Sequence, residues 1–405
     1  MKIGMLLDDP FPPDARVENE VALLIEAGHE VFLLAIGSSS PSLSKGAVHK
    51  ELSVTYRPYK TRLHRQLSAL AYSLPFYHLT QLNAIKAFIR SNAIEALHVH
   101  DLKIARAAFW ANKTFRLPLV LDLHENRPEI MRFYQHVQTF PGRFMIFPSI
   151  WRRFESRYIL KSTQTIVVTK DARDFYVKRV SGLSEKTITV VPNSVNTAFL
   201  SKAKQVTFPD INQKINVLYI GDTGARRGIK TILDSIFYLP DSIRDRIQFQ
   251  IVGTSSAQPE WEAYVQSHRL ESQIKLVGWK TIPELHHFLG TSHIGICPLH
   301  RNTHHDTTYA NKIFQYMAYG LPLVVSDCNA QANLAQKNNA GLVHQAESAE
   351  DFAKKITSIA TNPDLFLELS NNGMRAMKDE LNWNAISHDL RSLYDALARQ
   401  HSKSP

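Results

Sequence analysis

From end to end, short runs of β-branched and other apolar residues alternate with longer stretches whose apolar residues recur at helical spacing. Parallel sheets covered by helices require this rhythm, because a parallel crossover needs a connection of helix length. Strands are predicted at 2–7, 30–35, 54–56, 96–100, 119–122, 165–168 and 188–191. A polar stretch without period, Ser201 to Lys214, follows, and the rhythm restarts with strands at 215–220, 248–252, 274–277, 293–297 and 323–325. At 405 residues the chain exceeds what one hydrophobic core organises. Two doubly wound α/β domains are therefore expected, at residues 1–195 and 211–380. A last helix over about 382–400, with Trp383, Ile386, Leu390, Leu393, Tyr394 and Leu397 at helical spacing, is expected to reach back to the first domain.

With 44% hydrophobic and 21% charged residues the balance is globular, and no run approaches the roughly 18 apolar residues a spanning helix needs. The opening run Met1 to Leu7 meets Asp8 and Asp9 too early for a secretory signal and reads as a first strand of a cytoplasmic protein. Cys297 and Cys328 lie in separate apolar segments, without metal or redox spacing, as reduced core thiols do.

A net charge of +10 favours anionic partners. Arg57, Lys60, Arg62, Arg65, Lys86 and Arg90 interleave with Leu67, Leu70, Tyr72, Leu74, Phe76 and Tyr77. Further on come Arg132, Phe133, Tyr134, Arg143, Phe144, Phe147, Trp151, Arg152, Arg153, Phe154 and Arg157. Such mixtures suit the headgroup layer of an anionic membrane, and equally suit helices packed on a sheet with solvated arginines. Nucleic acid is not expected as a partner, since nothing but charge speaks for it.

In open parallel sheets ligands bind beyond the carboxyl ends of strands. The fourth strand runs into His98-Val99-His100-Asp101 and the fifth into Asp122-Leu123-His124-Glu125-Asn126. Carboxylates beside imidazoles fix a tautomer and raise basicity, so these clusters suit hydroxyl orientation or proton acceptance; helix capping beside partly buried histidines is the bland alternative. A zinc site of His98, His100 and His124 is a weaker one, because no other motif needs a metal. In the second half the strand 215–220 ends in Gly221-Asp222-Thr223-Gly224-Ala225-Arg226-Arg227-Gly228. Glycines between a strand and a helix admit a phosphate to backbone amides, and two arginines suit a diphosphate. The spacing is neither the dinucleotide fingerprint nor a Walker motif.

The segment Asn311-Lys312-Ile313-Phe314-Gln315-Tyr316-Met317-Ala318-Tyr319-Gly320-Leu321-Pro322 resembles the Asn-Lys-x-Phe-Glu-Tyr-Met-Ala-x-Gly-x-Pro element of the retaining family-4 glycosyltransferases of GT-B fold. Val191-Pro192-Asn193-Ser194-Val195-Asn196, Gly221 with Arg227-Gly228, Val252-Gly253, Val277-Gly278, Pro13-Asp14-Ala15-Arg16-Val17, Gly28-His29-Glu30-Val31 and Asp122-Leu123-His124-Glu125 are similar to further elements in the same order. The resemblance implies two Rossmann-like domains facing across a cleft, with the acceptor on the N-terminal side and a nucleotide-diphosphate sugar on the C-terminal side. It implies transfer of a sugar to a hydroxyl acceptor with retention. The basic aromatic stretches of the first half suggest a lipid-linked or membrane-adjacent acceptor, as in surface polysaccharide or glycolipid assembly at the inner face of a membrane. No metal or other cofactor is implied.

By the same resemblance, Gly221, Arg226, Arg227, Gly253, Asn311, Lys312 and Gln315 hold the donor, with Arg227 in place of the family's phosphate-binding lysine and Gln315 at the ribose. His124 attends the donor sugar, with Glu125 beside it, and His100 with Asp101 borders the acceptor. Three positions depart from the pattern: Gln315 stands for glutamate, Thr307 for an acid, and Asp222 for a frequent arginine. These departures leave one alternative, a catalytically impaired nucleotide-sugar-binding partner subunit; a second alternative is a GT-B sugar-nucleotide epimerase, which changes donor stereochemistry without an acceptor.

Overall fold

The structure is a computed structural model that describes residues 1–12, 14–37, 51–59, 71, 74–133, 137 and 147–401. Its described residues form two compact units, one of residues up to Pro192 together with the chain from Ser387 onward, the other Asn193–Ile386.

The first unit contains β1 (Lys2–Leu7), α1 (Ala15–Glu26), β2 (Glu30–Ile36), β3 (Ser53–Arg57), α2 (Phe76–Ser91), β4 (Ala96–His100), α3 (Ala105–Asn112), β5 (Leu119–Leu123), α4 (Pro148–Ile159), β6 (Gln164–Val167), α5 (Lys170–Arg179) and β7 (Ile188–Val190). All neighbouring strands are parallel, in the order β3-β2-β1-β4-β5-β6-β7. Because both faces are covered, the central strands are mostly apolar; β4 and β5 are buried at every residue, including His98, His100 and Asp122. Leu97, Val99 and Leu121 from these strands pack with Phe88 and Ile89 of α2 in one core.

The second unit contains β8 (Ile215–Ile220), α6 (Ile229–Ser235), β9 (Ile247–Val252), α7 (Gln258–Ser267), β10 (Ile274–Gly278), α8 (Ile282–Thr291), β11 (Ile294–Cys297), α9 (Lys312–Ala318), β12 (Leu323–Ser326), α10 (Asn329–Lys337), β13 (Gly341–His344), α11 (Ala349–Ala360) and α12 (Pro363–Asp379). Its strands are again parallel, in the order β10-β9-β8-β11-β12-β13. In each sheet the strand order reverses once, at β1/β4 and at β8/β11, and that switch is where the carboxyl ends of an open sheet leave a crevice.

Three features differ from the sequence reading. β13 was not expected: it is four residues long and begins with glycine, too little pattern to register. The polar stretch 201–214 packs on the second unit, with Val206 N donating to Tyr319 O at 3.1 Å and Arg246 donating to the carbonyls of Asp210 and Gln213. The predicted last helix is two helices, Trp383–Ile386 and α13 (His388–His401), that break at Ser387. Trp383 N donates to Val195 O in the second unit, whereas Leu390, Leu393, Tyr394 and Leu397 of α13 are buried within the first.

Candidate active site

In the first unit, β4 pairs with β5 so that His100 lies opposite Asp122. This register brings the two His-and-acid clusters together. Asp101 adopts the left-handed conformation (φ 62°) and donates its N–H to Asp122 O at 2.8 Å, turning its carboxylate toward His124. His124 Nε2 lies 2.9 Å from Asp122 Oδ2 and 3.2 Å from His100 Nδ1, and Nδ1 lies 3.7 Å from Asp101 Oδ2. Glu125 and Asp101 are bridged by Arg127, at 2.9 and 3.5 Å. His124, His100, Asp101 and Glu125 therefore form one cluster, with the His124 side chain 17% exposed at its edge.

Sequence reading missed the residues that organise this cluster from α1. Asp14 caps α1 by accepting from Arg16 N and Val17 N, which sets the helix so that Arg16 and Glu20, four residues apart, share one face. The Arg16 guanidinium grips Asp122 with two bonds, 3.0 Å to Oδ2 and 2.8 Å to Oδ1, reaches Glu20 at 3.0 Å, and donates to Val191 O. The i, i+4 spacing of an arginine and a glutamate was the available signal, but it is also common on solvated helices.

The charges follow from this packing. Burial works to raise Asp122, but Arg16 and His124 hold it well below the usual carboxylate range. Burial opposes charge on His124 too, yet Asp122 and Asp101 outweigh it and lift the imidazole to about 9, so it is a cation at neutral pH. Glu20 is pushed up to about 7 by burial and by Asp122. Burial lowers His98 and His100, which stay neutral.

Glu20, His98, His100 and Asp122 come close enough to ligate one cation. Arg16 already contacts both carboxylates and fills that electrostatic role. His98 and His100, two of the histidine triplet considered from sequence, belong to this group, with their rings stacked at 4.4 Å between centroids. Next to the cluster, Asn126 is 2% exposed and neither its amide nitrogen nor its oxygen has a hydrogen-bond partner. A buried amide left in this state is costly, and it is a ready partner for a ligand hydroxyl.

In the second unit, β8 is followed by Gly221, whose N–H donates to Val252 O, and β9 is followed by Gly253. Gly253 has φ 146°, and a Cβ there would lie 1.8 Å from Gly221 O, so only glycine lets the two strand ends approach. Lys312, the first residue of α9, is 9% exposed and its Nζ lies 3.5 Å from the centre of the Tyr219 ring, close beside Gly221. Tyr316, one turn on, accepts from Ile220 N at 2.9 Å, which pins α9 to the end of β8. Burial depresses Lys312 to about 7. Gly221, Gly253 and Lys312 thus converge.

Arg226 and Arg227 lie in a short turn of 3-10 helix, with Gly228 (φ 78°) following. The Asp222 carboxylate accepts from Gly224 N at 3.1 Å and Arg227 Nε at 3.4 Å, closing the turn and engaging one of the two arginines. Asn311 is exposed at the start of α9 and caps it with no side-chain bond; Gln315 is half-buried one turn further. Thr307 is buried and donates to Thr303 O at 2.8 Å, so its hydroxyl is used within its own helix. The helices after both turns, α6 and α9, have only seven residues each, so side chains rather than long helix dipoles supply most of the positive charge.

The basic and aromatic stretches divide between core and surface. Tyr77, Trp151 and Phe154 are core residues, Arg57 donates to Gln81 and Thr80 O, and Arg132 and Arg152 pair with Glu129. Outward lie Phe76 and Leu79 on α2, and Phe147, Ile150, Arg153, Arg157 and Leu160 on or flanking α4. Lys60, Arg62, Arg65, Leu67, Leu70, Tyr72, Tyr134, Arg143 and Phe144, like Pro13 of the N-terminal element, lie outside the described residues. No helix among the described residues is long and apolar enough to cross a membrane. Cys297 and Cys328 are buried and not disulfide-bonded.

Residues 15–199 match the family described as Glycosyltransferase Family 4, and residues 214–362 match Glycosyl transferases group 1. No curated protein sequence matches the chain. Solved structures that resemble it over nearly the whole length include a sucrose-phosphate synthase from Thermosynechococcus elongatus, with 17% identity, 99% of this chain and 100% of that chain covered and a TM-score of 0.77. The Anabaena protein HepE in complex with UDP shares 13% identity over 98% and 100%, TM-score 0.71. WaaG, a glycosyltransferase involved in lipopolysaccharide biosynthesis, shares 14% identity over 99% and 100%, TM-score 0.66. The two parallel sheets are those of the GT-B fold. The chain belongs to the group 1, family 4 glycosyltransferases and is a glycosyltransferase.

Proposed function

We propose that the chain transfers a sugar from a nucleoside-diphosphate sugar to a hydroxyl acceptor with retention at the anomeric carbon, the donor held by the second unit. The observation that carries this reading is the convergence of Gly221, Gly253 and Lys312 at the ends of β8 and β9, with Arg226 and Arg227 in the adjoining turn. Glycine backbone and cations there suit a diphosphate and serve the task a metal performs elsewhere. Asn311 and Gln315 are assigned to the donor, Gln315 to the ribose. His124, cationic, attends the transferred sugar; Asp101, Glu125 and His100 hold it, and the Asn126 amide takes a ligand hydroxyl. In the transfer the bond from the anomeric carbon to the phosphate oxygen breaks, the bond to the acceptor oxygen forms on the same face, and the departing phosphate takes the acceptor proton. HepE has been solved with UDP and with UDP-glucose, so uridine is the base to try first. The test is incubation with nucleotide sugars and a panel of hydroxyl acceptors, with NMR of the product. An α-linked product from an α-donor supports the reading; an inverted product, or conversion of donor to an epimer without acceptor, overturns it.

The outward face formed by Phe147, Ile150, Arg153, Arg157 and Leu160 supports an acceptor at an anionic lipid surface, at the inner face of a membrane in polysaccharide or glycolipid assembly. Co-sedimentation with vesicles containing anionic lipid, lost on Arg153→Glu with Arg157→Glu, checks that part. A second reading is favoured by the Asp222–Arg227 contact, which occupies a cation the diphosphate needs. In that case the chain binds donor as an impaired partner subunit, and neither transfer nor hydrolysis appears with any acceptor.

A further inference from the structure

Tyr394 on α13 is 296 residues away from His98 in the chain, yet its hydroxyl lies 2.8 Å from His98 Nδ1. The rings are nearly parallel, 9° between planes and 6.0 Å between centroids, and both are fully buried. Burial holds the phenol far above its ordinary range, so it keeps its proton, and with two carboxylates facing Nε2 it is Nδ1 that is left to accept it. Neutral His98 then carries its own proton on Nε2, which faces Glu20 Oε2 at 3.4 Å and Asp122 Oδ2 at 3.6 Å. Asp122 is the carboxylate that also holds Arg16 and His124.

We propose that Tyr394 and His98 are positioning residues for His124: the phenol occupies His98 Nδ1 and keeps that ring neutral, and a neutral ring beside Glu20 and Asp122 leaves their negative charge to His124. The proposal rests on the reading of His124 as the group beside the transferred sugar. The groups in contact with His124 are His100 and Asp101 from β4 and its turn and Asp122 from β5; behind them Arg127 pairs with Asp101 and Glu125, and Arg16 from α1 pairs with Asp122 and Glu20. Without the phenol proton, Nδ1 is free to take up a proton while Nε2 keeps its own toward the two carboxylates, and His98 becomes a cation. The cluster then carries one positive charge more. His124 binds its proton less tightly as a result.

The test is a histidine-nitrogen NMR titration of the full chain, alongside Tyr394→Phe, His98→Gln and the double variant. Tyr394→Phe keeps the ring packing, and His98→Gln places an amide N–H near the position of Nε2 whatever Tyr394 does. Expected are an Nε2-protonated His98 in the parent protein and a His124 midpoint lower by about one pH unit, about tenfold in acidity, in Tyr394→Phe. In the His98→Gln background, Tyr394→Phe is expected to change nothing further, the coupling that a purely structural role lacks. An Nδ1-protonated His98 in the parent, or a His124 midpoint unchanged or raised by Tyr394→Phe, overturns the proposal. Turnover of His124→Asn tests the underlying reading separately: full activity in that variant removes His124 from the chemistry without touching the NMR result.

Discussion

Asp122 Oδ2 lies 2.9 Å from His124 Nε2, and the same carboxylate is gripped by Arg16. One buried anion therefore holds two cations, and that arrangement gives His124 a midpoint of about 9. Folded-state protonation is raised above the ordinary 6.5, so the stability it supplies is complete below pH 6.5 and is lost as pH rises through about 9. Activity that needs the imidazolium is expected to fall over the same alkaline window, and a pH–rate profile checks it. Asp122→Asn should cost about 3 to 5 kcal/mol in denaturant unfolding, because buried Arg16 and His124 both lose the carboxylate they share and Glu20 alone is left facing Arg16.

Lys312 is shifted in the opposite direction. Its midpoint is depressed to about 7 by burial, so at pH 8 most molecules carry a neutral amine. A diphosphate restores the charge, so donor binding should take up a proton, and affinity should weaken as pH rises above 7. Calorimetry of UDP at pH 8 in two buffers of different ionisation heat measures this directly. In Lys312→Met the proton uptake should vanish, while stability without ligand is kept or increased, since a buried cation is gone.

At Gly253 a methyl group would be forced to within 1.8 Å of Gly221 O at a φ that only glycine adopts readily. Gly253→Ala is expected to destabilise the second unit by about 2 kcal/mol or more and to abolish donor binding. A thermal melt with and without nucleotide separates the two effects.

Asn126 should behave in the opposite way. Its amide has no partner to lose, so Asn126→Ala is expected to leave the melting temperature unchanged or raised. A reduction of kcat/KM by about tenfold in the same protein would mark a lost bond to substrate.

For Gln315→Glu, a carboxylate accepts from ribose hydroxyls more strongly than an amide oxygen. Nucleotide affinity should tighten by about three- to tenfold, measured by titration calorimetry. No change would place position 315 away from the ribose.

Much of the fold was legible because each buried strand is a compact apolar run and each crossover a longer amphipathic one. The carboxyl ends of those strands then pointed to His100, Asp101, His124 and Glu125, and the register of β4 against β5 joins them. Arg16, Glu20 and Tyr394 were not legible as partners. They come from the first and last helices, and sequence spacing holds no record of contacts made through folding across 106 or 296 residues. The effect of Asp222 was likewise invisible: whether it repels a diphosphate or closes its own turn depends on a side-chain direction that only the folded loop sets.

The central claim is a nucleotide-sugar site in the second unit whose cations are protein side chains. It is tested most directly by a thermal-shift screen against UDP-, GDP-, ADP- and dTDP-sugars, with and without EDTA, in the parent chain and in Arg227→Ala. The predicted result is a rise in melting temperature with one nucleotide class that EDTA leaves intact and Arg227→Ala abolishes. No rise with any member, or a rise that disappears with EDTA, would contradict it.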